Sequence, residues 1–362
     1  MSHAMRKNIG VIGLGIIGRG IAANLRRKGF PVFVWNRSPR SVPNFVGSPG
    51  ELAEVCNCIQ IFVSDDDALL QIAEQLSGKL TPSHLVLADS TVAPDSMRAA
   101  AEIVERRKAR FVEAPFTGSK AAAEKGELVY YVCGDDAALR EARPILKASS
   151  KEIIEIGPTI GHASAIKIAT NMITAASVQA TAEALALVQA LGLPLEKFVD
   201  AMRSNASYST TLAMKLPKIL NRDFEPHFSA KHMLKDMQIA NQIGLSNYLD
   251  LGVTAAARDQ LLEQMHWGHG DDDYSVVARK YLHEPAAVVP EELQLDEEDG
   301  QANAGEMLVS ATEMETGSQQ GASSELSPAP SVGVARSGAK ETTQLRRSFL
   351  KQLLSRLSSG NE

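Results

Sequence analysis

Lys167 and Asn171 stand four positions apart in a stretch, 163–191, that holds neither Gly nor Pro. Four positions are about one helical turn, so a helix there presents an ammonium and an amide on one face. An ammonium so placed can stabilise a developing oxyanion and give it a proton, with the amide holding either the ammonium or a substrate oxygen. A solvated lysine near the start of a helix is the plain alternative.

A second constellation opens the chain. The apolar run 8–12 leads into Gly13-Leu14-Gly15-Ile16-Ile17-Gly18 and then into a helical pattern and a second apolar run, 31–35. Strand, glycine turn, helix and strand in that order form the dinucleotide-binding fingerprint. Gly13 permits the tight turn, Gly15 lets the backbone approach a pyrophosphate, and Gly18 lets the helix pack closely on the sheet. The helix N-terminus supplies N–H groups for the anion.

The end of the second strand selects the dinucleotide. A site for NAD places an acid there for the ribose 2′-hydroxyl, whereas this chain has Trp35-Asn36-Arg37-Ser38-Pro39-Arg40. No carboxylate repels a 2′-phosphate and Arg37 can bind one, so the expected cofactor is NADPH. An exposed loop arginine is the alternative reading of Arg37. Val63-Ser64-Asp65 and Asp89-Ser90-Thr91 close two later strands at their carboxyl ends, the edge where ligands bind in a doubly wound sheet. Asp66 and Asp67 read as caps of the next helix. Further on, Pro115-Phe116-Thr117-Gly118-Ser119-Lys120 is a loop whose N–H groups and hydroxyls suit a carboxylate.

These residues need a scaffold, and the pattern supplies one. Strands are expected at 8–12, 31–35, 58–63, 85–89 and 111–114, with helices at 18–28, 68–77, 96–108 and 137–147 between them, and edge strands at 128–132 and 151–155. That alternation predicts an α/β Rossmann-type doubly wound domain over 1–162. From 163 the periodicity is helical only, at 163–191, 195–203, 229–243, 253–267 and 275–281, with Gly192, Pro194, Pro217, Pro226 and Gly244 as punctuation. An all-α substrate and dimerisation domain is therefore expected over 163–285, joined to the first by a long helix.

Residues 286–362 are rich in Glu, Asp, Gly, Ser, Ala and Pro, a composition expected to stay disordered. A short cationic amphipathic helix is expected near 345–357, where Leu345, Phe349, Leu350, Leu353, Leu354 and Leu357 alternate with Arg346, Arg347, Lys351 and Arg356. Arg346-Arg347-Ser348-Phe349-Leu350-Lys351 has the form of a twin-arginine signal, but such signals act at an N-terminus.

Composition excludes several classes. With 37 Lys and Arg against 43 Asp and Glu, the net charge of -6 provides no basic field for nucleic acid or anionic lipid. Three cysteines, Cys56, Cys58 and Cys133, suit neither a disulfide framework nor a metal site, and buried thiols in a reducing compartment are expected. No apolar run reaches the roughly 18 residues of a membrane span. Residues 1–8 lead directly into a strand with no room for a signal peptide, so a cytoplasmic location is expected.

In this order the motifs resemble the β-hydroxyacid dehydrogenase family, which includes 3-hydroxyisobutyrate and 6-phosphogluconate dehydrogenases. The loop 114–120, followed by Ala123-Glu124-Lys125-Gly126-Glu127-Leu128, is most similar to the glyoxylate/succinic semialdehyde reductase branch. The resemblance runs over roughly residues 7–285 and implies Lys167 as catalytic lysine and Asn171 as its partner. It puts substrate-binding positions at Thr117, Gly118, Ser119, Phe228 and Asp236, with Thr117 standing where the family has Ser. It puts Lys235 near the nicotinamide, with Thr91, Gly13, Leu14, Gly15, Ile16, Ile17, Gly18, Asn36, Arg37, Ser38, Val63 and Ser64 as the other cofactor-binding positions. The implied reaction is NADPH-dependent reduction of glyoxylate or succinic semialdehyde by a homodimer or homotetramer. Alternatives are 3-hydroxyisobutyrate or tartronate semialdehyde as substrate, or a non-catalytic NADP-binding scaffold. His269, in a loop beside three aspartates, reads as structural.

Overall fold

A computed structural model describes residues 7–282 of the chain. The expectations for 286–362, including the amphipathic helix at 345–357, lie outside the described residues.

Strands β1 (Ile9–Ile12), β2 (Val32–Trp35), β3 (Cys58–Ile61), β4 (Leu85–Ala88) and β5 (Arg110–Glu113) run parallel in the order β2-β1-β3-β4-β5. β1, β3 and β4 are buried at every position, as strands covered on both faces must be. β6 (Phe116–Thr117) and β7 (Leu128–Cys133) extend the sheet antiparallel, and β8 (Ser150–Gly157) pairs parallel with β7. On one face pack α1 (Ile16–Arg27), α5 (Lys120–Lys125) and α6 (Asp136–Leu146), through Ile21, Leu25, Ala123, Ala142 and Ile145. The other face carries α2 (Pro49–Val55), α3 (Asp66–Ser77) and α4 (Pro94–Glu105), through Leu52, Leu69, Leu76, Met97 and Val104. The expected doubly wound domain is the one found.

The remaining elements are helical. α7 (His162–Ala190) is followed by α8 (Leu195–Arg203), α9 (Thr210–Leu220), α10 (Ala230–Ser246), α11 (Gly252–His266) and a 3-10 turn, Tyr274–Lys280. At about 1.5 Å per residue, α7 is roughly 44 Å long. It buries Lys167, Asn171, Ala175, Val178, Ala182 and Leu185 on one side. The third core gathers there, with Leu216, Ile219, Met233, Met237 and Val276.

Several local expectations are corrected. α2, α5 and β6 lie where no element was expected, because each is short, and α9 was missed because Pro217 falls inside it. Pro217 does not punctuate: it lies inside α9, whose buried Leu212, Leu216 and Ile219 keep the helix on the core. Gly244 lies inside α10, where a Cβ would come within 2.7 Å of Leu251 Cδ1, so its role is close packing. The segment expected as a last α-helix winds as the 3-10 turn.

Candidate active site

The glycine turn is tight for measurable reasons. Gly13 has φ +93°, and a Cβ on it would lie 1.9 Å from the Phe62 carbonyl oxygen. A Cβ on Gly18 would lie 1.9 Å from the Gly13 carbonyl oxygen, so the turn closes on itself at both ends. Gly15 is different: nothing stands within 4 Å of its missing Cβ. Its backbone therefore borders an open cradle at the N-terminus of α1, where the first N–H groups lack intrahelical partners. Leu14 and Asn36 brace this turn. The Leu14 N–H donates to Asn36 Oδ1 at 2.8 Å, while Asn36 Nδ2 donates to the Ser38 carbonyl at 2.8 Å. Ile16 is exposed at the mouth of the turn and Ile17 packs partly against the sheet core.

Beside the cradle, the Val63 N–H donates to Ser90 Oγ at 2.8 Å, which ties the ends of β3 and β4 together. Ser64 Oγ donates to Asp65 Oδ2 at 2.6 Å, and Asp65 Oδ1 accepts the Ala68 N–H at 2.9 Å, capping α3. The cap is thus Asp65, and Asp66 instead accepts the Ala93 N–H at 2.9 Å, while Asp67 lies in the first turn of α3. The Ser64 hydroxyl bond outweighs burial and, with the Ala68 bond and the charges of Lys235 and Arg37, holds Asp65 below the usual carboxylate range. Arg37 and Lys235, from separate parts of the chain, both act on Asp65. An open backbone cradle at a helix N-terminus with two cations nearby fits a dinucleotide phosphate.

α7 and α10 build a chain of polar groups. Lys167 is 8% exposed, and its Nζ donates to Asn171 Oδ1 at 3.0 Å. Asn171 Nδ2 donates to Asp236 Oδ2 at 2.6 Å, and Lys235 Nζ lies 3.0 Å from Asp236 Oδ1. Lys235 also donates to the carbonyl of Thr91, reaching from α10 to the end of β4. Burial brings Lys167 down to about 8, against the pull of Asp236, with Lys235 adding to the fall. The lysine is thus mostly charged at neutral pH yet close to giving up its proton, the state a general acid needs.

The other expected substrate positions keep to their own neighbourhoods. Thr117 pairs with Val129 in the sheet, and Gly118 has φ +141° with Leu128 Cδ2 2.6 Å from its missing Cβ. Ser119 Oγ accepts the Ala122 N–H at 3.3 Å as the cap of α5, which leaves its hydroxyl proton to give. The Phe228 ring stacks on His232 at 5.9 Å and meets the edge of Tyr274 at 6.2 Å. His269 lies 3.1 Å from Asp272 Oδ2 and bonds Arg279, which is a structural setting. One residue given no role from the sequence, Glu113, is fully buried beneath the start of α7. No local pattern marks it, because its partners come 48 and 51 positions later.

The three cysteines are buried and free; burial pushes the Cys56 thiol up to about 12 and Cys133 to about 11. Among the described residues no cluster of His, Cys, Asp or Glu is suited to a metal ion, and no helix is long and apolar enough to cross a membrane.

Comparison with known proteins points to one family of dehydrogenases. Residues 8–157 match the NAD binding domain of 6-phosphogluconate dehydrogenase, and residues 161–281 match the NAD-binding family of NADP-dependent 3-hydroxyisobutyrate dehydrogenase. Glyoxylate/succinic semialdehyde reductase 1 of Arabidopsis thaliana is 30% identical over 74% of this chain and 96% of its own length. The cytokine-like nuclear factor N-PAC of Danio rerio is 30% identical over 76% of this chain, which spans only 62% of that relative; for the Homo sapiens N-PAC the share is 52%. Among solved structures, 3-hydroxyisobutyrate dehydrogenase of Mycobacterium tuberculosis superposes with a TM-score of 0.69 at 24% identity, over 76% of this chain and 99% of that one. The enzyme of the same name from Salmonella typhimurium gives 0.70 at 22% identity, over 76% and 100%. These two likenesses speak for the fold.

Proposed function

Because this chain belongs to the β-hydroxyacid dehydrogenase family of NAD(P)-dependent oxidoreductases, we propose that it reduces a small aldehyde acid with NADPH, with Lys167 as general acid. The observation that carries the reading is the buried series Lys167–Asn171–Asp236. When bound, NADPH supplies the hydride that reaches the aldehyde carbon. As charge grows on the carbonyl oxygen, Lys167 Nζ stabilises it and hands over a proton, a contribution of about 10²–10⁴-fold. Asn171 aims the ammonium by accepting from it, and Asp236 holds the Asn171 amide in the required orientation. Asp236 is thus a positioning residue rather than a substrate ligand.

Thr117, Gly118 and Ser119 would grip the carboxylate that glyoxylate and succinic semialdehyde share, with Phe228 closing the apolar side. Arg37 and Ser38 would hold the 2′-phosphate, Gly15 and the first turn of α1 the pyrophosphate, and Thr91 and Lys235 the nicotinamide end. The 30% identity to a reductase named for glyoxylate and succinic semialdehyde supports these substrates over 3-hydroxyisobutyrate or tartronate semialdehyde. A second reading, a dinucleotide-binding scaffold without turnover, draws on the relatives named as a nuclear factor. Retention of both Lys167 and Asn171 weighs against it.

The proposed domains are 1–162 for the nucleotide and 163–285 for substrate and self-association, in a cytoplasmic homodimer or homotetramer. Exposed Ile166, Ile173, Leu187 and Leu191 on or just beyond α7 support pairing of two copies, which sedimentation velocity tests. The deciding experiment measures initial rates of NADPH and NADH oxidation with glyoxylate, succinic semialdehyde and methylmalonate semialdehyde. NADPH-specific turnover of either of the first two is expected, and Arg37→Ala should erase that specificity. NADPH binding without turnover of any aldehyde would favour the scaffold.

A further inference from the structure

The helix that carries Lys167 begins without a cap of its own. Its N-cap residue is Gly161, which has no side chain and a φ of +96°, a backbone conformation that favours glycine. Ser164, at the third helical position, is buried and leaves its Oγ without a partner. In an ordinary capping box, side chains at these two positions satisfy each other's N–H groups. Here a single distant carboxylate does both jobs. Glu113 Oε2 accepts the Gly161 N–H at 2.6 Å, and Oε1 accepts the Ser164 N–H at 2.5 Å.

Glu113 closes β5, and the next residues enter the Pro115–Lys120 loop. The carboxylate therefore joins the strand that leads into the substrate loop to the helix that carries the proton donor, and it does so with no exposure to water. Lys167 follows Ser164 by three positions, so the register of α7 against the sheet edge sets where Nζ stands.

We propose that Glu113 is a positioning residue for catalysis: by capping α7 in trans it holds Lys167 at the carbonyl oxygen while the same strand presents the carboxylate-binding loop. This rests on Lys167 as general acid. Glu113 bonds backbone N–H groups of α7, whereas the Lys167 ammonium bonds Asn171, so its hold on Lys167 runs through the helix backbone. Loss of the cap frays the first turn and lets water reach Nζ, so Lys167 regains part of its lost basicity.

The test uses the full chain labelled with carbon-13 at the lysine Cε, with the Lys167 resonance identified by its loss in Lys167→Arg. Glu113→Gln should raise the Lys167 titration midpoint from about 8 by about one unit or more toward the ordinary lysine value. It should also lower kcat by roughly 10–100-fold, a misplacement effect, while NADPH still binds with little change in Kd. Glu113→Asp keeps the charge but falls one methylene short, should lie between the two, and carries the test should the Gln variant fail to fold. A Lys167 midpoint that stays or falls in the variants would overturn the proposal, as would a wild-type Lys167 that titrates as a free lysine. Should the wild type reduce no aldehyde, the reductase reading fails, and the titration decides the role of Glu113 separately.

Discussion

Lys167 and Lys215, both buried in the helical part of this molecule, are held in opposite ways. Lys215, on α9, is gripped directly by both oxygens of Asp273, at 2.6 and 2.7 Å, and lies 4.4 Å over the Tyr274 ring. Asp273 also accepts the N–H groups of His227 and Phe228 and both donors of Ser275. Lys167 instead touches a neutral amide, and its acid, Asp236, stands one residue further along the chain of hydrogen bonds. Burial lowers both lysines. A directly paired ammonium is a strut, fixed by two bonds to one carboxylate. One reached through an amide keeps a fixed direction and a proton it can lose.

That contrast yields predictions in descending size. Lys167→Ala should cut kcat by about 10²–10⁴-fold with NADPH binding retained, as seen by steady-state rates beside fluorescence titration. Normal turnover in that variant would make Lys167 a strut as well. Lys215→Ala should leave Asp273 buried without its cation and cost about 3–5 kcal/mol of stability, read as a lower urea midpoint. The Lys215→Ala, Asp273→Ala double variant should lose less than the two single losses added, because no buried charge is left alone.

A third prediction concerns pH. Folded, Lys167 releases its proton near 8, whereas its ordinary value is 10.5. Between these values the unfolded chain binds more protons, so stability should rise with pH across that window, by about 3 kcal/mol. Below pH 8 the cost of the buried charge is present in full. Lys167→Met should flatten this slope in denaturant titrations at pH 8–10, and an unchanged slope would assign it elsewhere. The smallest effect belongs to Asp236→Asn. Asp236 raises the Lys167 pKa, so its removal should move the alkaline limb of the kcat profile about one unit toward acid. A limb that stays in place would mean that the relay through Asn171 carries no charge effect.

Much of the scaffold was legible because it repeats. Short, mostly apolar runs marked β1, β3 and β4, with Gln60 in β3 the polar exception, and the tight Gly13–Gly18 turn was legible because its steric reasons lie within one contiguous segment and the strand beside it. Pro217 and Gly244 misled because local breaker rules yield to packing, against the helical core in one case and Leu251 in the other. α9 escaped notice although it holds Lys215, whose acid lies 58 positions away. Ser119, expected among the carboxylate-binding groups, also caps α5, a helix too short to have announced itself.

By itself the sequence determined the strand and helix periods, the glycine turn, the missing acid at Asn36-Arg37-Ser38 and the one-turn spacing of Lys167 and Asn171. All of these depend on neighbours within a few positions, where backbone geometry dictates which side chains meet. Only the tertiary structure decided that Asn171 meets Asp236, that Lys235 reaches Thr91, and that Glu113 caps the helix of Lys167. Those contacts join residues 48 to 144 positions apart. They arise from the packing of the helices on the sheet edge, which has no period along the chain to betray it.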